Sequence, residues 1–294
     1  MATDLGALAR SRATNPGAVA AAAAARRRPA SLLGPTGRLM VVAADHTARG
    51  ILGAGAERDA MADRERLLDR LCLALSRPEV NGVLGTADVL DDLLLLGALE
   101  DKVVLGSMNR GGLAGASFEI DDRFTGYRPA GIEAAGLEGG KMLLRVDLND
   151  PASARALETC ATAVSDLAAR GLIAMVEPFL SHRVAGVLQN DLSTEAVVRS
   201  VTVAAGLGSS SAHTWLKLPV VTDGIEGMER VLAASALPAV LLGGEVPDDP
   251  EATYANWGRV LRLPTAMGLV IGRALLYPAD GDVAGAVDRA VSLL

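Results

Sequence analysis

Residues 39–46 read Leu-Met-Val-Val-Ala-Ala-Asp-His, an apolar run that ends in two polar residues. Such a run is typical of a buried strand in a parallel sheet whose two faces are both covered by helices. A doubly wound open sheet would more naturally place a glycine-rich dinucleotide-binding turn after its first strand, and Asp45-His46 is not such a turn. The stretch therefore favours a barrel, with the open sheet as the alternative.

Seven similar apolar runs follow, and amphipathic segments separate them. The predicted strands are residues 39–44, 81–84, 102–106, 141–147, 172–177, 214–220, 239–243 and 269–272. The predicted helices between them include residues 59–76, 152–169, 194–205, 226–234 and 252–261. Eight strands that alternate with helices are the pattern of a (β/α)8 TIM barrel, an α/β fold that commonly reaches this chain length.

The chain is predicted to be one barrel domain, residues 38–294, with an N-terminal helical extension, residues 1–37. Residues 1–28 are rich in alanine and predict one or two helices that pack on the barrel. A transit peptide is the alternative, although Asp4 breaks the acid-poor pattern of such peptides. Residues 107–140 are rich in glycine and predict a loop over the barrel mouth as well as a helix.

Composition excludes several classes of partner. The net charge of -7 and the lack of a basic stripe with aromatic residues argue against nucleic-acid binding. No apolar run reaches the length of a membrane span. The two cysteines, Cys72 and Cys160, lie in predicted helices and indicate a reducing compartment. These features predict a soluble, cytoplasmic protein.

Lysine is rare in this chain, since only three of its 28 basic residues are lysine: Lys102, Lys141 and Lys217. Arginine replaces lysine in most surface roles but cannot act as an amine nucleophile. Lys217 lies within the buried strand 214–220, where burial disfavours the charged form and favours an imine-forming amine. A buried ion pair is the alternative for Lys217. Lys102 follows an acidic turn and is predicted to be a surface charge.

Polar residues cluster at the predicted carboxyl ends of the strands, where barrel enzymes bind substrate. These residues are Asp45, His46, Asp88, Asn109, Arg110, Arg145, Asp147, Glu177, Lys217 and Arg273. Strand alternation places Lys141, Arg145 and Asp147 on one face, and that face is predicted to line the lumen. Lys141 at a solvated strand start and Glu177 as a structural ion-pair partner are the alternatives.

Two glycine turns, Gly243-Gly244 and Gly272-Arg273, follow the last two predicted strands. Barrels often bind phosphate there through backbone N–H groups and a helix N-terminus. Arg273 adds a possible charged contact to a phosphate group. The pair of turns therefore predicts a phosphate site.

With these pieces, residues 38–294 resemble the class I (Schiff-base) aldolases of the deoxyribose-phosphate and tagatose-bisphosphate aldolase superfamily, which includes archaeal-type fructose-bisphosphate aldolases. The chain looks most similar to an actinobacterial branch linked to inositol catabolism. The matching pieces are Ala43-Ala44-Asp45-His46, Lys141 in its strand, Val176-Glu177-Pro178, Trp215-Leu216-Lys217, Leu242-Gly243-Gly244 and Gly272-Arg273-Ala274.

The resemblance implies a role for each site residue. Lys217 forms the imine, Lys141 helps to keep it deprotonated, and Glu177 and Asp45 handle protons and substrate hydroxyls. The remaining residues bind substrate or its phosphate: Gly243, Gly244, Gly272, Arg273, Arg145 and His46. Tyr127 lies in the long loop, so the sequence offers no clear counterpart of the proton-relay tyrosine that some members use.

The resemblance further implies a lyase that needs no cofactor, acts on a phosphorylated keto-sugar and assembles as a homo-oligomer. The first candidate substrate is 5-dehydro-2-deoxygluconate 6-phosphate, which gives dihydroxyacetone phosphate and malonate semialdehyde. Fructose or tagatose bisphosphates and deoxyribose 5-phosphate come next. Two other classes stay open: a metal-dependent barrel enzyme that uses His46, His182, Asp45 and Glu177, and a barrel that binds sugar phosphate without catalysis.

Overall fold

The described residues, 3–294 of a computed structural model, contain nine strands, and eight of them form a closed parallel barrel. The strands are β1 (Leu39–Ala44), β2 (Gly82–Gly85), β3 (Val103–Ser107), β4 (Gly139–Val146), β5 (Ile173–Val184), β6 (Val187–Asn190), β7 (Thr214–Leu218), β8 (Ala239–Leu242) and β9 (Ala266–Ile271). The barrel order is β4-β3-β2-β1-β9-β8-β7-β5, and β5 pairs with β4 to close the ring. The predicted (β/α)8 barrel is confirmed.

Helices surround the barrel, and most of them connect successive strands. They are α1 (Leu5–Thr14), α2 (Ala18–Ala25), α3 (Arg64–Leu75), α4 (Ala87–Leu95), α5 (Pro129–Ala134), α6 (Ala152–Ala169), α7 (Thr194–Ala205), α8 (Gly224–Ala233), α9 (Pro250–Val260), α10 (Arg273–Leu276) and α11 (Val283–Val291). Side chains of Asp63, Ser193 and Asp249 accept backbone hydrogen bonds at the starts of α3, α7 and α9. Helices α6 and α7 have the predicted bounds.

Strand alternation separates two cores. On β1, Leu39, Val41 and Ala43 point into the barrel, whereas Met40 and Val42 pack against the outer helices. On β5, Ile173 and Met175 belong to the inner cluster, and Glu177 follows at the same spacing. Apolar side chains thus fill the lower lumen, and charged groups come above them.

The N-terminal extension packs on the outer helices and reaches the amino end of the barrel. Helix α2 packs on α4, and Arg26 follows α2. The buried guanidinium of Arg26 donates to the Glu138 carboxylate at 2.9 Å, to the Gly136 carbonyl at 2.7 Å and to the Lys102 carbonyl at 2.8 Å. The extension is therefore tied to the starts of β3 and β4.

Two sequence predictions are wrong near the ends of strands. Strand β5 does not end at Glu177 but continues to Val184 and forms a hairpin with β6, through a turn in which Ala185 and Gly186 both have positive φ angles. Strand β4 ends at Val146, so the side chain of Asp147 lies in the β4–α6 turn, where it accepts a hydrogen bond from the Asn149 backbone.

Lys102 is half-buried rather than a free surface charge, because its Nζ donates to the Val80 carbonyl at 2.5 Å. Cys72 and Cys160 lie in α3 and α6 as free thiols. Among residues 3–294, no helix combines the length and the apolar character needed to span a membrane.

Candidate active site

A cavity of about 380 Å³ opens at the carboxyl ends of the barrel strands. Its lining includes every residue for which the resemblance implies a role: Asp45, His46, Lys141, Arg145, Glu177, Lys217, Gly243, Gly244, Gly272 and Arg273. A groove beside α6 is larger, at about 610 Å³, but contains none of the lysines. We take the mouth cavity as the candidate site because buried charges of opposite sign converge there.

Glu177 joins the two interior lysines. Its Oε1 lies 2.6 Å from Nζ of Lys217, and its Oε2 contacts Nζ of Lys141. All three side chains are at most one-tenth exposed. The alternative of a solvated Lys141 at a strand start is wrong, because Lys141 is the third residue of β4 and faces the lumen. Two amines on alternate barrel strands therefore share one carboxylate.

Asp45 extends the cluster toward β1 and β3. Its Oδ2 lies 3.3 Å from Nζ of Lys141 and 3.2 Å from Nη2 of Arg110, and it accepts a hydrogen bond of 3.0 Å from Ser107 Oγ. Nη1 of Arg110 also donates to the Asp45 carbonyl. The guanidinium of Arg110 and the Ser107 hydroxyl thus fix the orientation of the Asp45 carboxylate.

Burial and charge set the protonation states in this cluster. Burial opposes ionisation of Glu177 and Asp45, but the neighbouring cations outweigh it; Lys141 and Lys217 lower the pKa of Glu177 to about 2. Arg110 and Lys141 hold the pKa of Asp45 well below its usual range. Burial lowers the pKa of Lys141 to about 8, against the attraction of Asp45 and Glu177. Both carboxylates are therefore ionised at neutral pH.

His46 lies beside the turn after β9. Burial lowers its pKa to about 4, so the imidazole is neutral at pH 7. A side chain at Gly272 would place its Cβ 2.5 Å from the Ala43 carbonyl oxygen and 2.7 Å from Cε1 of His46, so only glycine fits. Nδ1 of His46 is buried without a hydrogen-bond partner. The neutral imidazole of His46 can therefore donate or accept a hydrogen bond to a ligand in the cavity.

The two glycine turns form one wall of the cavity with Arg273. Gly244 has a φ of +66°, which glycine adopts without strain. Arg273 begins α10, and its guanidinium makes only long contacts, 3.4 Å to Glu245 and 3.5 Å to the Gly244 carbonyl. Its charge is therefore weakly engaged by the protein.

Two pairs of charged residues that involve the long β3–α5 segment are functional candidates that the sequence does not predict. Glu119 lines the cavity and pairs with Arg145. Arg49, buried after β1, donates to the carbonyls of Gly112 and Asn109 and pairs with Asp122. Both contacts join residues far apart in sequence, and the only signal was the presence of acidic residues in a loop predicted to cover the mouth.

Other sequence candidates lie outside the cavity. Asp88 is in the first turn of α4 and pairs with Arg64, and the Asn109 side chain bonds the backbone of Leu143. Tyr127 packs on Gly106 at the outer face of β3, where burial raises its pKa.

His182 is exposed on the β5–β6 hairpin, so the four residues of the metal-site alternative do not meet. Within residues 3–294, no group of three or more His, Cys, Asp or Glu side chains is arranged to hold a metal ion.

The closed parallel barrel and its surrounding helices form a (β/α)8 barrel, and solved structures share this fold. An archaeal fructose-1,6-bisphosphate aldolase, whose catalytic lysine was captured as the carbinolamine of its substrate, superimposes with a TM-score of 0.66 at 15% identity, over 89% of this chain and 96% of that chain. Fructose-bisphosphate aldolase from Slackia heliotrinireducens gives 0.63 at 15% identity, over 100% and 93%. At this identity the likeness concerns the fold.

The chain belongs to the Cgl0159-like family, whose model matches residues 37–291. The crystal structure of Cgl0159 from Corynebacterium glutamicum is 53% identical, with a TM-score of 0.94 over 98% of this chain and 95% of that chain. A search of curated proteins found no match.

Proposed function

We propose that this protein is a class I aldolase that cleaves or forms a C–C bond of a phosphorylated keto-sugar through an imine on Lys217. The observation that carries the proposal is the contact of 2.6 Å between Nζ of Lys217 and Oε1 of Glu177 in a buried cluster at the catalytic end of the barrel. An amine can form an imine only after it loses its proton, and Glu177 is the nearest base.

In the cleavage direction, Nζ of Lys217 passes a proton to the Glu177 carboxylate and attacks the ketone carbon with its lone pair. The resulting carbinolamine takes up a proton on oxygen and loses water to give an iminium. A base then removes the proton of the hydroxyl on the β carbon, the bond between the α and β carbons breaks, and its electron pair neutralises the iminium. An aldehyde leaves, and an enamine stays on the lysine.

The enamine then takes a proton on carbon, and water hydrolyses the iminium to release the ketone product and free Lys217. Glu177 and Asp45 are the groups proposed for the proton transfers and for holding hydroxyls, since both line the cavity as carboxylates. Lys141 contacts both and balances their charge.

The phosphate of the substrate is proposed to bind between Gly243-Gly244 and Gly272-Arg273. The glycines allow the backbone to approach a ligand closely, and the weakly engaged Arg273 supplies charge. Binding energy from this remote group would orient the ketone toward Lys217.

By the family resemblance, the first candidate substrate is 5-dehydro-2-deoxygluconate 6-phosphate, and fructose or tagatose bisphosphates and deoxyribose 5-phosphate are the alternatives. A panel assay for release of triose phosphate distinguishes them. A cytoplasmic location and a homo-oligomeric assembly are also part of the proposal.

Borohydride reduction tests the imine directly. Incubation with dihydroxyacetone phosphate and borohydride should add one reduced adduct to Lys217, which peptide mass spectrometry detects. Lys217→Arg should lose the adduct, whereas Lys102→Arg, a matched lysine at the other end of the barrel, should keep it. Tight binding of sugar phosphate without any adduct or turnover would instead support a non-catalytic binding protein.

A further inference from the structure

Arg145 and Arg273 lie on opposite sides of the barrel mouth. Arg145 is on β4 and Arg273 follows β9, and in the closed ring β9 is the fourth strand from β4 in either direction. Lys217 is on β7, two strands from each of them. The proposed reactive amine is therefore midway between two cationic positions.

Arg145 is held by a glutamate that comes from the long loop and not from the barrel. Its Nη1 pairs with Oε1 of Glu119, and its Nη2 donates to the Glu119 carbonyl at 3.2 Å. Both side chains are 10% exposed, and Nε of Arg145 is buried without a hydrogen-bond partner. A buried guanidinium requires an anionic partner, and this partner leaves one N–H unsatisfied.

The loop between β3 and α5 is held more firmly at its base than near Glu119. Its base is fixed by buried Arg49, which donates to the Gly112 carbonyl at 2.5 Å. Residues 113–118 are mostly exposed, and Glu119 follows them directly. The Glu119 carboxylate also accepts from the Gly115 N–H at 2.9 Å, a contact within the loop itself. The carboxylate can therefore leave Arg145 while the base of the loop stays in place.

We propose that Arg145 is the receptor for a second anionic group of the substrate, at the end remote from the phosphate, and that Glu119 occupies this receptor until the substrate replaces it. The inference rests on the proposed function, because it takes the Arg273 wall as the phosphate end. The planar guanidinium suits either a carboxylate or a second phosphate, since both offer two oxygens to its fork. A sugar acid phosphate or a bisphosphate fits this arrangement, whereas deoxyribose 5-phosphate carries only one charged end.

Calorimetric titration of the full-length protein with malonate tests the receptor without any turnover. Arg145→Gln should weaken malonate binding at least about tenfold, the loss expected for one charge-assisted contact. Glu119→Gln should strengthen it, because the internal competitor is removed. If both substitutions change the affinity in the same direction, or if Arg145→Gln changes nothing, the pair is only a tie for the loop and the proposal is wrong.

The type of anion is read from kinetics. Arg145→Gln should raise KM at least about tenfold for the two-ended substrate that the enzyme uses, sugar acid phosphate or bisphosphate, and should raise it much less for deoxyribose 5-phosphate, which lacks the second anion. An equal loss on one-ended and two-ended substrates would contradict the receptor.

The adduct with dihydroxyacetone phosphate should persist in Arg145→Gln, since this ligand has a single charged end. Absence of that adduct in the unmodified protein would contradict the proposed function and not the receptor, which the malonate titration judges separately.

Discussion

Two buried clusters of charge occupy opposite ends of this barrel, and they are built differently. At the amino end, Glu138 accepts hydrogen bonds from Arg26, Arg28 and the Val104 backbone, and Arg26 also binds two carbonyls. At the mouth, Glu177 and Asp45 are shared by two lysines and Arg110. The first cluster uses only arginine as its cation.

The two clusters also differ in how fully their buried polar atoms are hydrogen-bonded. Each terminal nitrogen of Arg26 donates a hydrogen bond, whereas Nε of Arg110 and Nδ1 of His46 are buried without a partner, and Nη2 of Arg110 has only its ion pair with Asp45. Unsatisfied buried groups cost stability, and they persist where function requires them. We therefore expect substitutions at the mouth to remove activity and substitutions at the amino end to remove stability.

The largest expected effect is at Lys217. Lys217→Arg keeps the positive charge but has no amine that can form an imine, so turnover should fall on the order of 10⁴-fold or more. The free energy of unfolding, measured with urea, should change far less than the activity. A variant that folds and still turns over at a comparable rate would refute the assignment of the nucleophile.

Glu177→Gln should have the next largest effect. The amide keeps the shape but cannot take the proton of Lys217, so kcat should fall about 10²–10⁴-fold, the usual contribution of a general base. Borohydride trapping should become slower and still modify Lys217. Unchanged kcat across the pH range would assign proton transfer to another group, with Asp45 the next to test.

The cluster at the amino end should respond in stability alone. Arg26→Met removes the main partner of the buried Glu138 carboxylate and leaves two carbonyls without a donor, so unfolding should become easier by about 3–5 kcal/mol. Trapping of the adduct on Lys217 should be unaffected at a temperature where the variant is folded. Loss of trapping in the folded variant would show that the two ends are coupled.

The residues that face the lumen at the mouth could largely be predicted from sequence, because their positions depend on local strand alternation. The inner face of a strand follows from period two, and Lys141 and Arg145, which this alternation predicts on the lumen face, both line the cavity. The barrel itself follows from the repeat of strand and helix, and it is confirmed. The catalytic roles stay predictions.

The parts that could not be predicted depend on long-range contacts. Arg26 meets Glu138 across 112 positions, and Arg145 meets Glu119 by way of an irregular loop with no periodic pattern. The sequence does not predict the β5–β6 hairpin, because Pro178 directly follows the predicted strand 172–177 and the Ala-Gly turn of the hairpin is a weak signal.

His46, at the mouth, makes the free energy of unfolding depend on pH. Its folded pKa of about 4 lies below the ordinary value of 6.5, so the unfolded chain binds the proton first as the pH falls. The contribution of neutral His46 to the free energy of unfolding is fully present above pH 6.5. It is lost as the pH falls from 6.5 through 4, by about 3 kcal/mol in total. His46→Asn should flatten this part of the curve of unfolding free energy against pH. An equally steep fall in the variant would assign the loss to other groups.

The smallest effect separates burial from charge within the amino end itself. Arg27 follows Arg26 directly and pairs with Asp101 at 2.6 Å, but its side chain is 69% exposed, against 1% for Arg26. Solvent screens such a pair, so Arg27→Ala should lower the free energy of unfolding in urea far less than Arg26→Met does, and less again in high salt. If Arg27→Ala were as costly as Arg26→Met, ion pairing and not burial would govern this end of the barrel. The two clusters would then differ only in the type of their cations, arginine at the amino end and mainly lysine at the mouth.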